Sequence, residues 1–159
     1  MSAVLTSPSV ERVRDALSRA GMEPTIVELP GAARTAKAAA EYLGCEIAQI
    51  ANSLVFRAQA SNSAVLVMSS GAKRVDVARL AALVGEPIGK ADADFVRDQT
   101  GFAIGGVPPV GHAVKRTFVE RSLAAYRELW AAAGHPHTVF RLTYQELVRI
   151  TGGAEADLA

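Results

Sequence analysis

Two short apolar segments near the middle of the chain constrain the fold more than any other sequence feature. They cover residues 53–56 and 64–68, and the polar stretch 59–63 joins them. Short apolar runs that flank a polar turn are typical of a hairpin in the core of a sheet. Helical patterns lie on both sides of this hairpin and alternate irregularly with further strand patterns. The sequence therefore predicts a mixed sheet with helices on its faces rather than a regular βαβ array.

Local signals set the expected elements around the hairpin. The helices are predicted over residues 7–21, 35–43, 92–100, 122–133 and 144–151, with one more that begins near Asp76, its predicted N-cap. Ser7 is the predicted N-cap of the first helix, with Pro8 at its first position. Further strands are predicted over residues 25–29, 87–90, 117–119 and 138–142. The tail, residues 152–159, is predicted to be frayed.

Composition narrows the class of protein. The 159 residues, 50% of them hydrophobic and 21% charged, are typical of one globular domain that spans residues 1–159. Cys45 is the single cysteine, so a disulfide or zinc framework within the chain is excluded, and a reducing compartment, the cytoplasm, is expected. The first residues lack the basic and apolar parts of a signal peptide, and we expect no membrane partner. A net charge of +1 excludes wholesale wrapping of duplex nucleic acid but allows a small basic patch.

Residues 105–112, with the sequence GGVPPVGH, form the segment most suggestive of chemistry. Adjacent glycines allow a ligand to approach the backbone closely, and the two prolines stiffen the turn that follows. Such a loop can hold N–H groups ready for an oxyanion or a phosphate. A purely structural turn is the more common role of such residues. The absence of charge from residue 99 to residue 114 favours a partly buried pocket wall.

Other chemical candidates are weaker. The stretch 69–74, with the sequence SSGAKR, suits either a phosphate contact or a solvated basic turn, and it lacks the spacing of a Walker loop. His135 and His137 share a face if their segment is extended, but no third ligand with suitable spacing accompanies them, so a metal site is not favoured. A polar strand edge or a substrate contact fits them better. Cys45 and Trp130 are interpreted as packing residues, Trp130 within the core.

Three segments occur in an order that resembles the YbaK-like family, the prolyl-tRNA-synthetase-associated editing domain. They are residues 50–56 (IANSLVF), 70–76 (SGAKRVD) and 100–111 (TGFAIGGVPPVG). The resemblance covers nearly the whole chain. It implies an α+β fold with a mostly antiparallel mixed sheet, and a hydrolase that cleaves the ester between a wrong amino acid and its tRNA. It implies no cofactor, and its expected partners are aminoacylated tRNA and an aminoacyl-tRNA synthetase.

The resemblance also implies a site. Its catalytic groups would be the N–H donors of Gly105 and Gly106 together with Asn52, where the family usually has a lysine. A neutral amide there replaces a charge-assisted contact by a weaker hydrogen bond. The implied substrate-binding residues are Ser53, Val107, Pro108, Pro109, Gly111 and His137, and no metal is expected. The cations expected to hold tRNA are Lys73, Arg74, Lys115 and Arg116.

Asn52 keeps two other functions open. One is a non-catalytic module that binds an aminoacyl nucleotide or an amino-acid derivative in the same pocket. The other is a partner-binding domain whose pocket is vestigial. The leading hypothesis is a trans-editing hydrolase for a small amino acid such as Ala, Ser or Cys, in which water attacks with help from the substrate's own ribose hydroxyl.

Overall fold

The computed structural model describes residues 3–31, 33 and 35–159. Within these residues, five α-helices and eight strands follow one another along the chain. Their bounds are α1 (Pro8–Arg19), β1 (Ile26–Glu28), α2 (Ala36–Leu43), β2 (Ile50–Ala58), β3 (Ser63–Ser70), α3 (Val77–Val84), β4 (Ile88–Lys90), α4 (Ala93–Thr100), β5 (Arg116–Glu120), β6 (Leu129–Ala132), β7 (Thr138–Leu142), α5 (Tyr144–Thr151) and β8 (Ala154–Ala156). Two short 3-10 helices lie at Ile47–Gln49 and Arg121–Ala125.

The strands form one mixed sheet in the order β1-β7-β6-β2-β3-β5-β8, and β4 pairs with β2. Four of the strand pairings are antiparallel, including the predicted β2–β3 hairpin. The β2–β6, β3–β5 and β5–β8 pairings are parallel. This arrangement confirms the predicted fold class, a mixed sheet surrounded by helices.

Side-chain alternation along β2 and β3 divides the core between the two faces of the sheet. One face packs against the apolar sides of α1, α4 and α5 in the largest buried cluster, which includes Leu66, Met68 and Phe140. The other face packs against α2 around Ile50, and a separate cluster includes Val67 and the α3 residue Leu80.

Helix N-termini mostly follow the sequence signals. The Asp76 carboxylate accepts from the N–H of Arg79 at 3.1 Å, which confirms the predicted cap of α3. Ser7 occupies the N-cap position of α1, but its hydroxyl donates to the carbonyl of Val4 at 2.8 Å instead of accepting from the helix.

Two sequence predictions were wrong. The helix predicted over residues 122–133 is a 3-10 turn followed by β6, because pairing with β7 and β2 on either side overrides the local helical pattern. The tail predicted to be frayed forms β8 beside β5. Ala156 and Leu158 are buried, and the N–H of Leu158 donates to the buried carboxylate of Glu120 at 2.8 Å. A buried acceptor and two apolar anchors hold this tail in place.

The outer edge of β2 is shared by two strands that leave a gap between them. β6 pairs with β2 only at Ile50 and Ala51, and β4 pairs only at residues 56–58. Neither strand pairs with residues 52–55. A sheet edge that is open for four residues in the middle of the molecule exposes main-chain groups to whatever lies beside it.

Candidate active site

A cavity of about 640 Å³ opens beside this gap. Its floor is β2 around Asn52 and Ser53, and the glycine loop enters it through Gly105. The other residues that line it come from α2 and the segment before it, from β6 and from the β6–β7 turn: Leu29, Ala33, Thr35, Ala36, Ala39, Ile50, Ala51, Leu54, Ile104, Trp130, Ala132, Pro136, His137, Thr138 and Val139. A cavity of this volume has room for an aminoacyl group and part of a nucleotide.

A second cavity of about 250 Å³ lies against the same part of β2. It is lined by Ser53, Leu54, Val55, Phe56, Lys90, Ala91, Val96, Ile104, Gly105 and Val107. Ser53, Leu54, Ile104 and Gly105 line both cavities. Ile104 is 53% exposed between the two, so an apolar side chain stands where they meet.

The glycine loop is held by close packing against the β6–β7 turn. A Cβ at Gly106 would lie 2.8–3.0 Å from backbone atoms of His135, which leaves no room for a side chain. The N–H of Gly106 donates to the carbonyl of Ala103 at 2.9 Å, so the prediction that this N–H serves the substrate was wrong. Gly105 lines both cavities with φ at +85°, a conformation that favours glycine.

Much of the remaining loop anchors the site from outside. Pro108 and Pro109 are buried but line neither cavity, and Val107 faces the smaller one. A Cβ at Gly111 would lie 3.4 Å from that of Ala16 in α1, so this glycine faces a helix instead of the substrate. Of the four loop residues predicted to bind substrate, Val107 lies at a cavity wall. Pro108, Pro109 and Gly111 line neither cavity.

His112, at the end of the loop, is also an anchor. The N–H of Val114 donates to its Nδ1 at 3.3 Å. Burial lowers the pKa of His112, although the carbonyl of Pro108 opposes this shift. The neutral form of His112 is therefore the one that fits the folded loop.

His137 lines the larger cavity, and one of its ring nitrogens is unpartnered among the described residues. Its Nδ1 is buried and has no hydrogen-bond partner among the described residues. Its main chain is well held, since its carbonyl accepts from Leu29 at 2.6 Å and its N–H donates to Nδ1 of His135 at 3.1 Å. Burial lowers the pKa of His135, and the neighbouring His137 lowers it further. A buried ring nitrogen without a partner is the kind of group that a ligand satisfies.

Asn52 lies directly opposite Ser69 in the β2–β3 pairing. Ser69 is fully buried, and its hydroxyl has no partner among the described residues. Apart from His137, the described residues that line the larger cavity include no ionisable side chain. Any hydrolysis in this cavity must therefore proceed without a protein carboxylate as general base.

Sequence reasoning missed several cavity residues. Trp130, predicted to lie in the core, is partly exposed on the wall of the larger cavity. Lys90 lines the smaller cavity, and Ile104 separates the two. Their positions depend on how β4 and β6 diverge from β2, and no local motif signals that. The predicted second helix, α2, places the small side chains of Ala36 and Ala39 on the wall of the larger cavity.

The structure does not bring the four predicted tRNA-binding cations together. Lys73 and Arg74 follow the end of β3 that pairs with Ala51, close to the site. Gly71, two residues before Lys73, packs against the cavity residue Ala36. Arg116 pairs with Val65 at the other end of β3, about 17 Å away along the strand, and Lys115 precedes it.

Arg116 is also committed to other side chains. It forms an ion pair with Glu86 at 3.4 Å and donates to the hydroxyl of Ser63 at 2.6 Å. The N–H and hydroxyl of Ser61 donate to the same Glu86 carboxylate, at 2.8 and 3.0 Å. The four cations therefore do not form one patch, and of the four, Lys73 and Arg74 are the two that lie at the end of the sheet that carries the site.

The described part of the chain lacks two further features, a metal-binding cluster and a membrane-spanning helix. No group of three or more His, Cys, Asp or Glu side chains there could hold a metal ion. None of the helices described is both long and apolar enough to cross a membrane.

Known proteins resemble this chain in sequence and in fold. The family model for the aminoacyl-tRNA editing domain matches residues 31–150. The crystal structure of a candidate trans-editing enzyme for prolyl-tRNA synthetase is 45% identical, with a TM-score of 0.89, over 96% of this chain and 97% of that one. The hypothetical protein APE2540 is 26% identical, with a TM-score of 0.83, over 92% and 98%. The uncharacterized protein YwhH of Bacillus subtilis (strain 168) is 28% identical over 140 residues, 87% of this chain and 88% of its own length. The match to more than half of the chain shows that this protein belongs to the aminoacyl-tRNA editing domain family.

Proposed function

We propose that this protein is a trans-editing hydrolase that cleaves the ester bond of tRNA misacylated with a small amino acid such as Ala, Ser or Cys. One observation carries the proposal. Asn52 and Ser53 of β2, Gly105 of the loop and His137 of the β6–β7 turn come from distant parts of the sequence and line one cavity. The cavity wall carries polar side chains at Asn52, Ser53 and His137, and its volume fits an ester and the sugar that carries it.

The proposed reaction needs no protein nucleophile. The oxygen of a water molecule forms a bond to the ester carbonyl carbon while the ribose hydroxyl next to the ester orients it. The bond between that carbon and the ribose oxygen then breaks, and the ribose oxygen takes up a proton that the water gives up. The products are the free amino acid and a tRNA with both terminal hydroxyls. The lack of carboxylates among the described cavity residues supports this substrate-assisted route.

Substrate selection is proposed to depend on size, as in the second sieve of editing. A small side chain enters the cavity and places its ester against β2, whereas a bulkier cognate residue is excluded. We further propose that Lys73 and Arg74 contact the tRNA phosphates beside the site, because they are exposed at the same end of β3. The synthetase that makes the error is the second proposed partner, in the cytoplasm.

Asn52 favours a second candidate function. If loss of the cation usual at this position also removed the activity, the protein would be a module that binds aminoacyl nucleotides without hydrolysing them. In an active enzyme, Asn52 is fitted to its neighbours, since it faces the fully buried Ser69 across the strand pair. A lysine there would extend a longer, charged side chain into the cavity, where it would compete for the space that the aminoacyl group of an active enzyme occupies.

The Asn52→Lys variant distinguishes the two functions. For the hydrolase we expect a slower single-turnover deacylation than in the wild type, by about tenfold, which corresponds to about 1.4 kcal/mol. A panel of Ala, Ser, Cys and Thr esters on prolyl and other tRNAs provides the substrates. A wild type that binds these tRNAs without cleaving them, together with a lysine variant that gains hydrolysis, would instead establish the binding module.

A further inference from the structure

The main chain of Ser53 points into the gap beside β2. The carbonyl of Ile50 accepts from Gly71 on the β3 side at 2.8 Å, whereas the N–H of Gln59 donates to Pro87 on the β4 side at 2.9 Å. Along a strand the N–H and C=O of one residue point to the same edge, and those of the next residue point to the other. Residues with odd numbers in β2, Ser53 among them, therefore direct both groups towards β6 and β4.

No strand uses these two groups of Ser53. The last rung to β6 is at Ala51, and the nearest rung to β4 is at Phe56. Among the described residues, no loop donates to or accepts from the Ser53 main chain either. The side chain of Ser53 is directed elsewhere, since its hydroxyl donates to the sulfur of Met68 at 3.4 Å. A donor and an acceptor on one residue thus have no partner among the described residues, at the edge of an otherwise paired strand.

The position of this free rung is central to the site. Ser53 is one of the four residues that line both cavities, together with Leu54, Ile104 and Gly105. A ligand that extends from one cavity into the other must pass Ser53. Because Gly106 gives its N–H to Ala103, the glycine loop supplies fewer free donors than its composition predicts.

We propose that Ser53 binds the aminoacyl group as a neighbouring strand would, through main-chain atoms alone. Its N–H donates to the ester carbonyl oxygen, and its C=O accepts from the α-ammonium group. An aminoacyl ester carries these two groups at the spacing of one amino-acid residue, so it can complete the rung that β6 and β4 leave open. This inference rests on the proposed function and names the donor that its reaction uses.

The chemistry favours a strand as the source of this donor. Negative charge develops on the carbonyl oxygen as water adds to the carbon, and a hydrogen bond to that oxygen becomes stronger during the reaction. β2 is fixed on its other side by eight paired residues of β3, so its N–H needs no rearrangement. The contact between the α-ammonium group and a carbonyl is charge-assisted, and it selects esters with a free amino group.

The direct test replaces Ser53 by its α-hydroxy acid, which exchanges the N–H for an ester oxygen and makes the preceding carbonyl, that of Asn52, a weaker acceptor. The matched control makes the same change at Val65, which pairs with Phe56 and whose N–H lies in the β2–β3 ladder. We expect the Ser53 ester to lose about 10²–10³-fold in single-turnover rate, the effect typical of one oxyanion donor, with a smaller drop in unfolding midpoint than the Val65 ester shows. We expect the Val65 ester to unfold at a lower temperature and to keep its rate when assayed folded.

A Ser53 ester with the wild-type rate, or one destabilised as much as the Val65 ester, would overturn the inference. Failure of the proposed function is a different result, because the wild type would then cleave no ester in the panel.

The α-ammonium contact has its own test. Lactyl-tRNA carries a hydroxyl in place of the α-ammonium group of alanyl-tRNA and is otherwise the same size. With each rate divided by that of the uncatalysed reaction, we expect the enzyme to act at least about tenfold more slowly on the lactyl ester. Equal accelerations of the two esters would contradict the proposed pairing.

Discussion

The two ends of the β2–β3 hairpin treat their polar groups in opposite ways. At the turn end, Ser61, Ser63, Glu86 and Arg116 satisfy one another in a connected network. At the other end, the hydroxyl of Ser69 and Nδ1 of His137 are buried without partners among the described residues, and the Ser53 main chain faces a gap.

The two ends of the hairpin therefore differ in role: the turn end stabilises the fold, and the other end is available to a ligand. A network whose members satisfy one another rigidifies the fold and leaves nothing for a ligand. Buried groups without partners are unfavourable in the free protein, and a ligand that reaches them and pairs with them regains that free energy. The unsatisfied end is therefore the end at which we place the reaction.

The largest expected effect comes from the Gly106→Val substitution. Its side chain would collide with the His135 backbone and push the glycine loop away from β2. A displacement of about 1 Å is enough to reduce a reaction about 100-fold, so we expect at least that loss in single-turnover deacylation. Gly31→Val is the matched control, because a Cβ at Gly31 meets no atom within 4 Å among the described residues outside its chain neighbours. Equal activity of the two valine variants would show that the position of the glycine loop does not affect hydrolysis.

A pair of substitutions tests the comparison itself. His137→Ala removes a buried nitrogen that has no partner in the described structure, so we expect little or no loss of thermal stability and about tenfold slower hydrolysis. Arg116→Gln breaks the network at the turn end, so we expect a lower unfolding midpoint and unchanged hydrolysis. Thermal melts and single-turnover rates on the same samples measure both effects. A destabilised His137→Ala with unchanged hydrolysis, together with an Arg116→Gln of normal stability and slower hydrolysis, would contradict this difference between the two ends.

The smallest expected effect is a pH dependence of stability that arises from His112. Burial holds its pKa below the ordinary value in the folded protein, so the unfolded chain binds a proton more readily. The contribution of neutral His112 is therefore present above its ordinary pKa of about 6.5 and is lost as the pH falls through the folded pKa. Urea unfolding between pH 7.5 and 5 should show less acid destabilisation in His112→Asn than in the wild type. If the unfolding free energies of the two proteins changed in parallel with pH, His112 would not be a cause of the acid destabilisation.

The predictable part of the molecule is the part determined by short-range patterns. The β2–β3 hairpin, the cap at Asp76 and the family motifs are all contained in consecutive residues, and the structure confirms them. β6 was missed because its pairing partners β2 and β7 decide its conformation. β8 was missed because the buried Glu120 that holds the tail lies far away in the sequence.

The sequence predicted which residues lie at the site, but not which of their main-chain groups lack a partner within the protein. The sequence indicated the glycine loop, Asn52, Ser53 and His137. All four meet at one cavity, which the loop reaches through Gly105. It could not indicate that Gly106 gives its N–H to Ala103, because that depends on how the turn closes. The gap at Ser53 depends on the registers of two other strands against β2, which no local pattern encodes.

If this cavity cleaves misacylated tRNA, the purified protein must deacylate such tRNA in a single-turnover reaction. Alanyl, seryl, cysteinyl and threonyl esters on prolyl and other tRNAs are mixed with excess protein, and the released amino acid and the intact tRNA are both quantified. We expect at least one small-residue ester to be hydrolysed far faster than without protein, and Gly106→Val to lose at least about 100-fold of this acceleration. Uncatalysed rates for every ester at saturating protein would contradict this expectation.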